Sequence, residues 1–148
     1  MKDKEFIDTN ILVYAKLEDE ENIRKRDIAI ALIQQIGVCP VISVQVLNEF
    51  ASVLIKHQIP NYVILKAVQE IVEDTNVISL DVNLLWETWR IRDKYLFSYW
   101  DSMIISAALM GGCNILYSED FQHEQIIENN LRIINPFHET KETQPVAS

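Results

Sequence analysis

Glycine and proline are scarce, three and four in 148 residues. Long irregular loops need such residues, so few are expected. Cysteine is nearly absent. Cys39 and Cys113 stand far apart, without metal-ligand or redox spacing. A disulfide-stapled scaffold is excluded, and both read as reduced core residues. His123 and His138 have no partner at metal-ligand spacing and read as surface residues. No apolar stretch reaches membrane-spanning length, and no signal-peptide pattern opens the chain. A cytoplasmic protein without membrane contact is the expectation. Cationic side chains are in deficit, 13 Lys and Arg against 22 Asp and Glu, a formal charge of −9. Polyanionic partners usually demand a basic surface. A nucleic-acid function therefore requires some acids to be gathered around divalent cations, whose charge inverts the local electrostatics. The remaining acidity suits a basic partner protein.

What is present is a globular profile, 49 % apolar and 24 % charged. The length fits one domain, read as residues 1–138, with 139–148 as a mobile polar tail. Phe6-Ile7 forms a short buried strand ending near Asp8. Ile28, Leu32, Ile33 and Ile36 share one helical face over 24–36, and Gly37 is a stop. Pro40 to Ile42 is a strand, and Ser43 caps a helix carrying Val46, Leu47, Phe50 and Leu54. Pro60 breaks that helix, and Asn61 caps the next, over 63–72. Val77 to Leu80 is a strand, and 83–95 a helix. Ser98 and Asp101 have capping-box spacing ahead of a helix running to Gly111-Gly112. Asn114 to Tyr117 and Leu131 to Ile134 are the last strands. Short apolar strands alternating with amphipathic helices predict an α/β fold with a mainly parallel sheet.

Open sheets of this kind bind ligands at the carboxyl ends of their strands. Asp8 and Asp120 each follow a short apolar strand. Asp101 opens a helix, where the dipole favours a negative charge. Glu49, between Leu47 and Phe50, is semi-buried, which is costly for an unpaired charge. Four acids on one edge repel unless cations lie between them. Hard divalent ions such as Mg²⁺ or Mn²⁺ prefer carboxylate oxygen. Two such ions, ~3.5–4 Å apart, can activate water and steady the leaving oxygen of a phosphodiester.

Phe6-Ile7-Asp8-Thr9-Asn10-Ile11-Leu12, Leu47-Asn48-Glu49-Phe50, Tyr99-Trp100-Asp101-Ser102 and Leu116-Tyr117-Ser118-Glu119-Asp120-Phe121 resemble, in order, the four motifs of the PIN-domain family. The resemblance spans Phe6 to about Phe137. It implies a three-layer α/β/α fold with a mainly parallel central sheet. It also implies a Mg²⁺- or Mn²⁺-dependent endoribonuclease acting on single-stranded RNA. A short stand-alone domain of this kind looks most like a VapC-type toxin of a bacterial toxin–antitoxin pair. A cognate antitoxin and a homodimer are then the expected partners. Asp8, Glu49, Asp101 and Asp120 match the acidic quartet. Thr9, Asn10 and Ser118 match groups that orient carboxylates or waters. Ser102 is a weaker candidate for that role, and Glu119 competes with Asp120 by adjacency alone.

Each residue also has a plainer reading. Asp8-Thr9-Asn10 makes a turn and cap, Asp101 a capping-box acid, Glu49 a solvated helix residue, and Asp120 a strand-end turn. Arg90 and Lys94, four apart and followed by Tyr95, Phe97, Tyr99 and Trp100, are candidate RNA contacts. An exposed helix face over core aromatics is the favoured reading for most of these residues. Trp86 and Trp89 read as core or as a dimer surface, and Lys56-His57 as a basic helix end. The competing functions are a catalytically inactive PIN-like binding module and an aspartate-based phosphotransfer domain. The latter, in its haloacid-dehalogenase form, wants a second aspartate where Asn10 stands.

Overall fold

The apolar run Phe6-Ile7 stops at a carboxylate, and the backbone changes there from strand to helix. In the computed structural model, which describes residues 3–36 and 39–139, this is β1 (Glu5–Ile7) followed by α1 (Thr9–Lys16). Gly37 and the polar stretch from Thr140 onward lie outside the described residues. The chain continues through α2 (Ile23–Gln35), β2 (Val41–Ser43), α3 (Val44–Lys56), α4 (Asn61–Asp74) and β3 (Asn76–Ile78). Then come α5 (Val82–Tyr95), α6 (Tyr99–Met110), β4 (Ile115–Tyr117), β5 (Ile126–Ile127) and β6 (Leu131–Ile134).

The helices start where their caps dictate. The Ser43 hydroxyl accepts from Val46 N, the Asp81 carboxylate from Leu84 N, and the Ser98 hydroxyl from Asp101 N. Each satisfies a backbone donor that has no partner within its helix. Asn61 is not a cap as expected. The Pro60 carbonyl takes Val63 N and Ile64 N instead, and Asn61 becomes the first helical residue. β5, two residues long, is too short to show an alternation and had no sequence signal.

The six strands lie in the order β3-β2-β1-β4-β6-β5, all parallel except β5 against β6. The connections β1 to β2 and β2 to β3 step in one direction across the sheet. That from β3 to β4 steps back past β2 and β1. Right-handed crossovers then put α1–α4 on one face and α5–α6 on the other. The helix contacts agree: α1 meets α2 and α3, α3 meets α4, and α5 pairs with α6. The fold is the three-layer α/β/α expected. Residues Ser102 to Ala108 of α6 are all buried, so this helix is apolar around its circumference and central to its layer. Gly111 caps its end, where a Cβ would meet Ala107 O and Val41 Cγ1, both at 3.2 Å. No helix among the described residues is long and apolar enough to cross a membrane.

Candidate active site

β1 has β2 on one side and β4 on the other, and the direction in which the chain adds strands to the sheet reverses between them. Such a switch point opens a crevice at the carboxyl ends of the strands. Ile7 is in register with Tyr117, so the next residues, Asp8 and Ser118, emerge side by side. The Ser118 hydroxyl donates to Asp8 Oδ2 at 2.7 Å, and Thr9 N donates to Oδ1 at 2.7 Å. Asp8 is only 3 % exposed. Burial outweighs both hydrogen bonds, and the nearby Asp120 and Glu49 charges add to it, pushing the Asp8 carboxyl up to about 7.

Glu49 reaches the same place from α3. The Thr9 hydroxyl donates to its Oε2 at 2.8 Å, and the Gln45 amide to its Oε1 at 2.8 Å. The same Gln45 amide donates to Trp100 O at 3.1 Å, tying α3 to the first turn of α6. Asp101 lies in that turn. Burial first, then the Glu49 charge, holds its carboxyl above the ordinary range despite a bond with Ser98. Asp120 follows β4. Its Oδ2 accepts from the Asn10 amide at 3.1 Å, and its backbone N donates to the Ser118 hydroxyl at 3.1 Å. Lost solvation, followed by the Asp101, Glu119 and Glu49 charges, raises it too, against the Asn10 bond.

Asp8, Glu49, Asp101 and Asp120 are therefore linked as electrostatic neighbours, with Thr9 holding Asp8 and Glu49, Ser118 holding Asp8 and the Asp120 backbone, and Asn10 holding Asp120. Ser102 does not: its hydroxyl donates to Ser98 O within its own helix, at 2.7 Å. Glu119 separates from Asp120. It turns to α1 and α2, taking the Tyr14 hydroxyl at 2.5 Å and Lys25 Nζ at 2.8 Å. Arg90 and Lys94 do share one helix face, as their spacing predicts, but the anion they meet is Glu128, at 2.6 and 2.5 Å. Arg90 also pairs with Glu87. Cys39 is exposed rather than core, while Cys113 is buried. His123 and His138 stack at 4.2 Å, and His123 Nδ1 accepts from Asn135 N. Trp86 and Trp89 face solvent, 65 % and 54 % exposed.

Gln45 was not anticipated. It stands four residues before Glu49, the spacing that brings helical side chains together, so a sequence signal did exist. The Tyr14–Lys25–Glu119 contact joins distant segments and had none.

The site's chemistry suits a hard divalent cation. A cavity of about 440 Å³ opens beside it, lined by Thr9, Asn10, Glu49 and Asp120, with Lys56 on its wall. None of the salt bridges among the described residues engages Asp8, Glu49, Asp101 or Asp120. Asn10 Oδ1 is buried there without a partner. Among the described residues, no three His, Cys, Asp or Glu side chains form a ready-made metal cage. Mg²⁺ does not need one, since one or two carboxylates with water complete its shell. A larger cavity, about 540 Å³, lies under α1, α2 and α4 with mainly apolar walls, and holds none of the four acids.

The family model of the PIN domain matches residues 6–129. Among solved structures, a chain of a toxin–antitoxin complex from Klebsiella pneumoniae has a TM-score of 0.68 at 16 % identity, over 90 % of this chain and 98 % of that one. The Mycobacterium tuberculosis toxin VapC20, which cleaves the sarcin–ricin loop, has a TM-score of 0.66 at 16 % identity, over 86 % and 99 %. A chain of the DNA-bound VapBC complex from Salmonella typhimurium has a TM-score of 0.61 at 23 % identity, over 89 % and 97 %. These share the fold. No curated protein matches by sequence.

Proposed function

The chain belongs to the PIN-domain family, and on that premise we propose that it is a Mg²⁺- or Mn²⁺-dependent endoribonuclease, the toxin of a bacterial toxin–antitoxin pair. The observation that carries this reading is Asp8: a buried carboxylate at the sheet's switch point, near other acids and in no salt bridge among the described residues. When bound, a divalent ion supplies Lewis acidity to the phosphodiester and lowers the pKa of water at the site.

The protein's own part is positioning. Asp8, Asp101 and Asp120 hold the ion. Ser118 and the Thr9 backbone fix both oxygens of Asp8, so its carboxylate is presented in one orientation. The Asn10 amide holds one oxygen of Asp120. Glu49 has one hydrogen bond on each oxygen, from Thr9 and Gln45, and keeps lone pairs for a water or an ion. It accepts a proton from water at the attacking position or completes the ion's shell. Lys56, on the cavity wall, meets a substrate phosphate.

The excess of acid, −9 overall, suits a basic antitoxin segment, and the solved relatives include toxin–antitoxin complexes. The test is cleavage of single-stranded RNA with Mn²⁺ by wild type and Asp8→Asn. Wild type should cut, and the variant should not. Cleavage that persists in Asp8→Asn, or in wild type with saturating EDTA, overturns the proposal.

A further inference from the structure

Trp89, Tyr99 and Trp100 form a continuous run of rings beside the acidic cluster. Trp89 and Tyr99 lie 5.3 Å apart between centroids, as do Tyr99 and Trp100, and Trp100 immediately precedes Asp101. Trp100 is 62 % exposed. α5 ends against this run in an uncommon way. Leu96 takes a left-handed backbone, φ 61°, and leaves its side chain 85 % exposed. A bulky residue there is strained, and its exposure returns no burial. The turn is closed by Arg92, which donates to Phe97 O at 2.8 Å. Trp89, Arg92, Asp93, Leu96 and Phe97 enclose an open cavity of about 220 Å³. An aromatic wall with one carboxylate and one guanidinium suits a flat heterocycle that carries N–H donors and ring acceptors.

We propose that this cavity is a subsite for an unpaired nucleobase of the RNA strand, next to the phosphate held at the acidic cluster. The base stacks on Trp89, and Asp93 accepts from its N–H edge. The proposal rests on the ribonuclease reading and extends it to substrate selection. Charge favours it. Arg90 and Lys94 are engaged with Glu128, and the chain carries nine more acids than bases. A strand held at this surface needs an attraction that does not depend on positive charge, and base–aromatic stacking supplies one. A second protein copy would also cover exposed aromatics. The Asp93 carboxylate in the cavity wall favours the base, because aspartate is depleted at protein interfaces.

The experiment is steady-state cleavage, with Mn²⁺, of single-stranded oligoribonucleotides that differ in one base beside the cut. Trp89→Ala should raise KM on the order of ten-fold with kcat nearly unchanged. Trp89→Phe, which keeps an aromatic face, should recover most of this and guards against misfolding. Asp93→Asn should change the ranking among the oligonucleotides. Trp86→Ala, exposed on the same helix but outside the cavity, should leave KM unchanged. Intact cleavage with unchanged KM in Trp89→Ala, or an equal KM rise in Trp86→Ala, overturns the subsite and spares the ribonuclease reading. Loss of dimer mass in Trp89→Ala with unchanged KM overturns it in favour of self-association. No cleavage by wild type overturns both readings.

Discussion

Glu128 and Asp8 are carboxylates treated in opposite ways by one fold. Glu128, in the turn between β5 and β6, accepts from Lys94, Arg90 and the Tyr95 hydroxyl. These bonds, largest first in that order, hold its carboxyl down at about 2. Asp8 accepts from one hydroxyl and one backbone N–H, and burial pushes it up to about 7. The first region matches each negative charge and gains stability from it. The second gathers unmatched acids and is held in place by the rest of the fold. Net charge therefore says little about where the acids act. Paired acids such as Glu128 belong to architecture, and the unpaired ones mark the place that wants a cation.

The largest effect should come from removing the unmatched charge. Asp8→Asn should abolish cleavage and yet, without metal, raise thermal stability at pH 8. The folded pKa, about 7, lies above the ordinary 3.8. The folded state thus holds this proton more tightly than the unfolded chain. That advantage is present below pH ~4 and is lost as pH rises through ~7. A three-unit shift corresponds to roughly 4 kcal/mol as an upper bound, and to a midpoint shift of at most about 8–16 °C. Calorimetry in EDTA at pH 4 and pH 8 checks this. A variant less stable than wild type at pH 8 would break the contrast with Glu128.

The link between α3 and α6 should matter next. Gln45→Leu removes the amide that joins Glu49 to Trp100 O while keeping apolar volume. Cleavage should fall about 10–100-fold, as for other residues that orient ligands. The Mn²⁺ concentration for half-maximal rate should also rise, which simple destabilisation would not produce. Saturating Mn²⁺ should then raise the wild-type midpoint by several degrees, since 100-fold excess over Kd stabilises by about 2.7 kcal/mol. Asp8→Asn and Asp101→Asn should each blunt that rise. Equal shifts in all three proteins would place the ion elsewhere.

The features that were legible are those written locally. Ser43 and Ser98 bond donors three residues on, so their caps appear in a short window. The address of Asp8 follows from an apolar strand ending in a carboxylate, and α6 from an apolar run closed by two glycines. What was missed depends on partners far along the chain. The motif match chose Asp120 over Glu119, but the partners to which Glu119 turns, Tyr14 and Lys25, lie more than ninety residues earlier and gave no local signal. Arg90 and Lys94 looked like free cations because Glu128 lies 34 residues beyond Lys94. Cys39 looked like core by residue type, yet its position between α2 and β2 leaves it exposed. Local pattern places the acids on one edge of the sheet; long-range pairing decides which of them stay unmatched.

The smallest effect should come from the matched region. Glu128→Gln keeps an acceptor for the Tyr95 hydroxyl but removes the charge that Lys94 and Arg90 share. The two cations are about half exposed, 48 % for Arg90 and 56 % for Lys94, so the loss of stability should be modest, a small drop in midpoint at pH 7, with cleavage unchanged. Its sign with pH is opposite to that at Asp8. The Glu128 carboxyl is depressed, so its contribution is present above the ordinary glutamate value of 4.5 and declines as pH falls towards about 2. Wild type and Glu128→Gln should therefore converge in acid, while wild type and Asp8→Asn diverge as pH rises. Salt sharpens the distinction. Exposed pairs are screened, so 1 M NaCl should shrink the Glu128→Gln difference. The Asp8→Asn difference arises from burial and should persist. If salt removed both, the acidic cluster would be an ordinary solvated surface, and its claim to hold a cation would go with it.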